Sequence, residues 1–181
     1  MMRSLLILFL SISSLFAGEN LANRYYVSDV LLKAFGDKGH DIVYDNIMKN
    51  GQIFGGSCDF YEQVRVGEKE YANPEDRNCL KGKQEYGYKD RNEYSKFRES
   101  LILQSCNALI KCPECYRHFL DRIAKAESPV QSILSQFFWN DRVITELLPQ
   151  YQKVYDRYFF KSKKVKMTVL SACIDPRWQK I

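Results

Sequence analysis

Six cysteines follow an apolar N-terminal segment, and this combination limits the chain more than any other feature. Residues 1–17 have the layout of a secretory signal peptide, with Arg3 as the charged start and Ala17 as a small residue suited to cleavage. The uncharged core, residues 4–16, has 13 residues, which is short against the roughly 20 that cross a bilayer. We therefore expect residues 1–17 to be removed, leaving residues 18–181 as one exported domain, periplasmic or secreted and without a transmembrane segment.

An even number of cysteines in an oxidising compartment predicts disulfide bonds. Many pairings are possible, and spacing alone does not choose among them. Our preferred arrangement joins Cys58 to Cys79, a crosslink that contributes about 3 kcal/mol on the chain-entropy model. The other four would tie a central helix junction to the C-terminal helix, and they are Cys106, Cys112, Cys115 and Cys173.

Apolar residues recur at helical spacing before residue 51 and after residue 90. Helix starts are indicated at Cys112-Pro113, at Ser128-Pro129 and at Asn140 or Asp141, because proline is tolerated in a first turn and asparagine and aspartate are good N-caps. Pro149 is expected to kink or restart a helix. These patterns predict an all-α fold, a single helical domain of six or seven helices.

Residues 51–90 differ from both flanks in composition. They hold six of the nine glycines and many charges, with no extended periodicity. An irregular segment of this length is uncommon in a compact domain unless a crosslink holds it or it has a function. We therefore expect an irregular, disulfide-tethered loop insertion. Its tyrosines lie outside any helical pattern and are candidates for a binding surface for protein or glycan; they are Tyr61, Tyr71, Tyr86 and Tyr88.

Thiol–disulfide chemistry is the leading alternative to purely structural cysteines. Cys112 and Cys115 form a C-x-x-C motif at an expected helix start, where the backbone dipole stabilises a thiolate on the first cysteine. In the thioredoxin-like context this motif follows a strand. Here it follows a long helical pattern, so we rank the redox reading below the structural one.

A metal or haem site is a third interpretation. Covalent haem attachment requires histidine directly after the second cysteine, whereas position 116 is tyrosine. The correct residue types for zinc do occur close together, namely Cys106, Cys112, Cys115 and His118. Oxidation of the thiols competes with metal binding, so we expect neither a metal nor another cofactor.

A cysteine hydrolase is a fourth interpretation. Gly-Ser-Cys at residues 56–58 resembles the sequence before a papain-type nucleophile, and the resemblance covers only these three residues. His118 and Asn140 could complete a triad with Cys58, since triads are defined by geometry rather than by order. Using Cys58 as a nucleophile would leave an odd number of cysteines.

Charge excludes one class of partner. The formal net charge of +5 is too mild to indicate nucleic-acid binding. A basic cluster at Lys161, Lys163, Lys164 and Lys166 could touch anionic lipid or an acidic partner, although a solvated face is the usual outcome.

The sequence therefore predicts an exported helical protein with a binding or structural role toward a protein or envelope component. We expect residues 51–90 to be its recognition element. No catalytic constellation stands out among its carboxylates or histidines.

Overall fold

A computed structural model of the chain describes residues 21–55, 95–124 and 126–180, and the structural statements below concern these residues. Every regular element in them is a helix, which confirms the all-α prediction. A single antiparallel bridge joins Leu21 to Lys180 near the two ends of the described chain. No helix in these ranges has both the length and the apolar character that a bilayer crossing requires.

The predicted number of helices is also confirmed, because seven helices of six or more residues occur in the described ranges. The α-helices are α1 Arg24–Phe35, α2 His40–Asn46, a short α3 Gly51–Phe54, α4 Lys96–Lys111, α5 Pro113–Ile123, α6 Pro129–Leu134, α7 Asp141–Asp156 and α8 Lys161–Ile174. The described ranges also contain three 3-10 turns, at Asp37–Gly39, Met48–Asn50 and Pro176–Gln179.

Local capping explains where most of these helices begin. The side chains of Asn23, Ser95, Ser128 and Asn140 accept hydrogen bonds from backbone N–H groups in the first turns of α1, α4, α6 and α7. Proline occupies the first turn of α5 and of α6. Each cap satisfies donors that the helix itself leaves open, so these boundaries could be predicted from short stretches of sequence.

Two local predictions differ from the structure. Pro149 lies inside a continuous α7 and does not restart it. The buried residues Ile144, Leu147 and Tyr151 flank it on one face, so packing outweighs the missing hydrogen bond. The first four residues of the predicted irregular insertion also form a helix, α3, which ends at Gly55 with a φ of 71° that favours glycine.

An aromatic cluster occupies the centre of the core. The ring of Phe35 on α1 lies 5.1 Å from that of Phe119 on α5 and 6.3 Å from that of Phe137. Phe137 in turn lies 6.3 Å from Trp178 in the C-terminal turn. All four side chains are buried. The C-terminal turn is therefore held by the same core as the N-terminal helix.

A disulfide between Cys106 and Cys173 joins α4 to α8. Both residues are fully buried, and they are separated by 67 positions in the sequence. One predicted link from the central helices to the C-terminal helix is therefore present, whereas Cys112 and Cys115 bond to each other and form no second link. Cys58 and Cys79 lie outside the described residues.

A buried arginine holds the two ends of the described chain together. Arg98 on α4 donates from Nη2 to the carbonyl of Ala22 at 2.6 Å and from Nε to Oε1 of Gln179 at 2.9 Å. Its guanidinium carbon lies 4.7 Å from the ring centre of Phe54. Burial lowers the pKa of Arg98 to about 10, so the group remains a cation at neutral pH.

The 67-residue separation gives a stability prediction for the α4–α8 disulfide. Replacing Cys106 and Cys173 together with alanine should lower the free energy of unfolding by roughly 4 kcal/mol on the chain-entropy model. The Cys112–Cys115 bond closes a far shorter loop, so replacing both of its residues with alanine should cost only about 2 kcal/mol. Urea denaturation of both double variants tests this, and equal losses would contradict it.

Candidate functional site

Cys112 and Cys115 are joined in a disulfide at the junction of α4 and α5. Cys112 has an extended backbone, with φ −70° and ψ 114°, which ends α4 and makes this residue the N-cap of α5. Its sulfur accepts a hydrogen bond from the N–H of Cys115 at 3.2 Å. Pro113 follows in the first turn. The motif therefore has the helix-start geometry that thiolate stabilisation needs.

The two sulfurs of this pair differ in access. Cys115 is fully buried, and a Cβ placed on Gly39 would lie only 3.9 Å from its Sγ. Cys112 is half-buried, so an incoming thiol can approach the pair only from its side. The flanking charges offset each other, since exposed Lys111 precedes the motif and exposed Glu114 lies within it.

The structure does not bring the four proposed zinc ligands together. Cys106 is bonded to Cys173 rather than lying beside the C-x-x-C pair. His118 packs against the end of α1, where a Cβ on Gly36 would lie 2.9 Å from its Cγ. Among the described residues, no group of three or more histidine, cysteine, aspartate or glutamate side chains could hold a metal ion.

The other candidates from the sequence fall in two places. Asn140 caps α7, with Oδ1 accepting from the N–H of Arg142 at 3.0 Å, so its amide is used structurally. The remaining candidates lie outside the described residues; they are Cys58, Cys79, Tyr61, Tyr71, Tyr86 and Tyr88.

A cleft of about 470 Å³ opens between the start of α7 and the C-terminal turn. Its apolar wall consists of Phe138, Val143, Leu147 and Trp178, and its polar groups come from Glu146, Gln150, Arg177 and Lys180. Apolar walls with a few polar groups are typical of binding sites. Apart from Asn140, no residue that lines this cleft was predicted from the sequence to have a binding or catalytic role.

Both tryptophans of the chain line this cleft. Trp178 is 2% exposed and donates from Nε1 to the carbonyl of Cys173 at 3.0 Å, so it is fixed. Trp139 is 81% exposed. A large aromatic side chain left in water beside an apolar cleft marks a contact surface. Its position directly before the N-cap of α7, outside the helical pattern, was the signal available in the sequence.

A buried carboxylate orients Arg177 along the cleft. Asp175 accepts from Nε of Arg177 at 2.9 Å and from the hydroxyl of Tyr151 at 2.6 Å. Burial alone would raise the pKa of Asp175, but hydrogen bonds from Arg177 and Tyr151 outweigh it and hold that pKa below its ordinary value. Burial and the bond to Asp175 raise the pKa of Tyr151. The group is therefore an ionised carboxylate between two donors.

No family model, no curated protein and no solved structure matches this chain. The function is therefore inferred from the geometry of the chain itself.

The depressed pKa of Asp175 predicts a pH-dependent contribution to stability. Its contribution should be fully present above the unfolded pKa of about 3.9 and should be lost as the pH falls through the folded value. Asp175→Asn should cost about 1.5–3 kcal/mol at neutral pH, and the deficit should shrink in acid. Urea denaturation at several pH values measures this, with Asp121→Asn, an exposed carboxylate on α5, as the control. A deficit that does not change with pH would contradict the prediction.

Proposed function

We propose that this chain is an exported, disulfide-stabilised helical domain that binds a protein partner through the cleft beside Trp139. The observation that carries the proposal is a tryptophan 81% exposed at the rim of an apolar cleft. Tryptophan is enriched among the residues that supply most of the energy of protein interfaces. Exposure of so large a side chain has a cost for a free protein, and a partner that covers it removes that cost.

The rigidity of the cleft wall supports a binding role. Trp178 is fixed by its hydrogen bond to the carbonyl of Cys173, a residue that is itself crosslinked to α4. Arg177 is fixed by Asp175. A wall that is ordered before binding loses little conformational entropy when a partner arrives, so even a small contact area can give useful affinity.

The chemistry of the lining indicates what the cleft accepts. Its apolar floor fits an aromatic or aliphatic side chain, and Glu146, Gln150 and Arg177 at its edge can pair with backbone groups beside that side chain. We therefore propose a peptide segment that presents an apolar anchor residue.

Two features support an exported location. Residues 1–17 have the pattern of a signal peptide, and disulfide bonds persist mainly in oxidising compartments. The Cys106–Cys173 and Cys112–Cys115 bonds fit such a compartment. We place the protein in the periplasm or outside the cell.

Trp139→Ala tests the cleft directly. Peptides selected from a displayed library on the unchanged protein should lose roughly thirtyfold in affinity for this variant, as expected when a central interface residue is truncated. Fluorescence of the two tryptophans should also respond to these peptides, because both line the cleft. The stability of the variant should change little.

Phe97→Ala is the matched control, because Phe97 is a 74% exposed aromatic residue on α4 that does not line the cleft. It should leave peptide affinity unchanged. Deleting residues 61–77 tests the alternative that the loop tyrosines form the recognition surface. Affinity that is lost with the loop and retained in Trp139→Ala would assign binding to the loop and contradict the cleft.

Thiol–disulfide exchange at Cys112–Cys115 is the second candidate, favoured by the unequal access of the two sulfurs. A client thiolate would attack Sγ of Cys112 and expel the thiolate of Cys115. A second client thiolate would then attack the client sulfur of this mixed disulfide and release Cys112. The client dithiol would be oxidised to a disulfide, and the pair would be reduced to two thiols.

Single-turnover oxidation of a reduced dithiol peptide tests this candidate. The unchanged protein should oxidise about one peptide per molecule through this pair, because it is the accessible one of the two disulfides in the described residues. Cys112→Ser should abolish the reaction. The Cys106→Ala and Cys173→Ala double variant should retain it, since both residues of that disulfide are buried. Absence of transfer from the unchanged protein, or transfer that persists in Cys112→Ser, would exclude the candidate.

A further inference from the structure

Two adjacent phenylalanines stand in solvent between α7 and α8. Phe159 is 92% exposed and Phe160 is 68% exposed. Their rings pack edge to face, with a centroid distance of 5.5 Å. The two residues therefore form one apolar tip, which we call the phenylalanine tip. Neither residue lines the cleft.

The net charge of the chain is concentrated around this tip. Residues 157–166 contain five basic residues and no acidic residue, whereas the whole chain has 27 basic and 22 acidic residues. The rest of the chain therefore has 22 of each sign and no net charge. A surface that combines apolar rings with all of the excess positive charge fits an anionic, apolar-accepting partner.

Two of the lysines are placed by tyrosine rings. Nζ of Lys163 lies 5.3 Å from the ring centre of Tyr158, and Nζ of Lys164 lies 5.2 Å from that of Tyr155. Lys161 and Lys166 are exposed. Two cations of residues 157–166 therefore lie against tyrosines near the end of α7, a few positions in the sequence from the phenylalanine tip.

The start of α8 departs from the usual preferences for helix starts. Phe160 is its N-cap and makes no side-chain capping bond, and the first turn has no acidic residue. Lysines occupy that turn, where the helix dipole disfavours cations. These residues disfavour the start of the helix they belong to. A segment that breaks local preferences in this way indicates a functional role rather than a contribution to helix stability.

We propose that Phe159, Phe160 and the neighbouring lysines dock the protein on the surface of an anionic lipid bilayer. The rings would enter the boundary between headgroups and acyl chains, and the ammonium groups would pair with lipid phosphates. A protein partner would need a pocket shaped for two protruding rings. A bilayer accepts any protruding apolar tip, which is why the geometry favours lipid over an acidic protein.

Sedimentation with vesicles tests the proposal, using exported protein whose mass shows that residues 1–17 are absent, because that apolar segment would itself partition into lipid. The protein should bind vesicles of phosphatidylglycerol mixed equally with phosphatidylcholine. It should not bind phosphatidylcholine alone, and high salt should weaken the binding. Phe159→Ser with Phe160→Ser should lower the partition coefficient at least roughly tenfold.

Matched variants separate this surface from general adhesion. Phe97→Ser removes an equally exposed ring elsewhere and should have no effect. Replacing Lys161, Lys163 and Lys166 with glutamine should lower the partition coefficient roughly a hundredfold. The same change at Lys33, Lys111 and Lys153, all exposed, should have a much smaller effect.

Three results would overturn the proposal. The first is an absence of binding to the anionic vesicles, and the second is an equal loss of binding in the two lysine triple variants. The third is that the protein binds polyglutamate as tightly as it binds vesicles and that neither interaction depends on Phe159 or Phe160. The last result would assign the surface to an acidic protein partner.

Discussion

The bond between Cys106 and Cys173 fixes the part of the molecule on which the candidate binding site depends. It holds α8 against α4, and the C-terminal part of the cleft lining, Arg177 and Trp178, follows a few residues after Cys173. Trp178 hydrogen-bonds to the carbonyl of Cys173, and Gln179 accepts from the buried Arg98 on α4. A covalent bond and a buried cation, both on α4, thus hold the C-terminal turn in place.

The two disulfides of the described chain share α4 and its end but differ in what can reach them. Cys106 and Cys173 are enclosed by the core, so exchange with an external thiol would require local unfolding. Cys112 lies at a helix junction and is half-buried. Access, rather than the presence of a C-x-x-C motif, therefore decides which bond can take part in chemistry. The same reasoning assigns the long-range bond to stability.

Local features of the fold could be predicted from the sequence, and non-local ones could not. Helix starts at Pro113, Pro129 and Asn140 depend on a few adjacent residues, and the sequence located them correctly. Pro149 does not restart a helix, because buried neighbours on α7 outweigh its local preference. The cleft needs Trp139 and Trp178, which only tertiary packing brings together. Disulfide pairing was open for the same reason, since it depends on how α4 meets α8.

The chain leaves large aromatic side chains in water at both ends of α7. Trp139 lies just before this helix, and Phe159 and Phe160 lie just after it. A helix of 16 residues is about 24 Å long. A molecule docked on a bilayer through the phenylalanine tip would therefore hold Trp139, at the rim of the cleft, about that far along the helix from the docking point. The two proposed surfaces would then not compete for the same contact, and α7 would act as the spacer that leaves the cleft of a docked molecule open to a peptide.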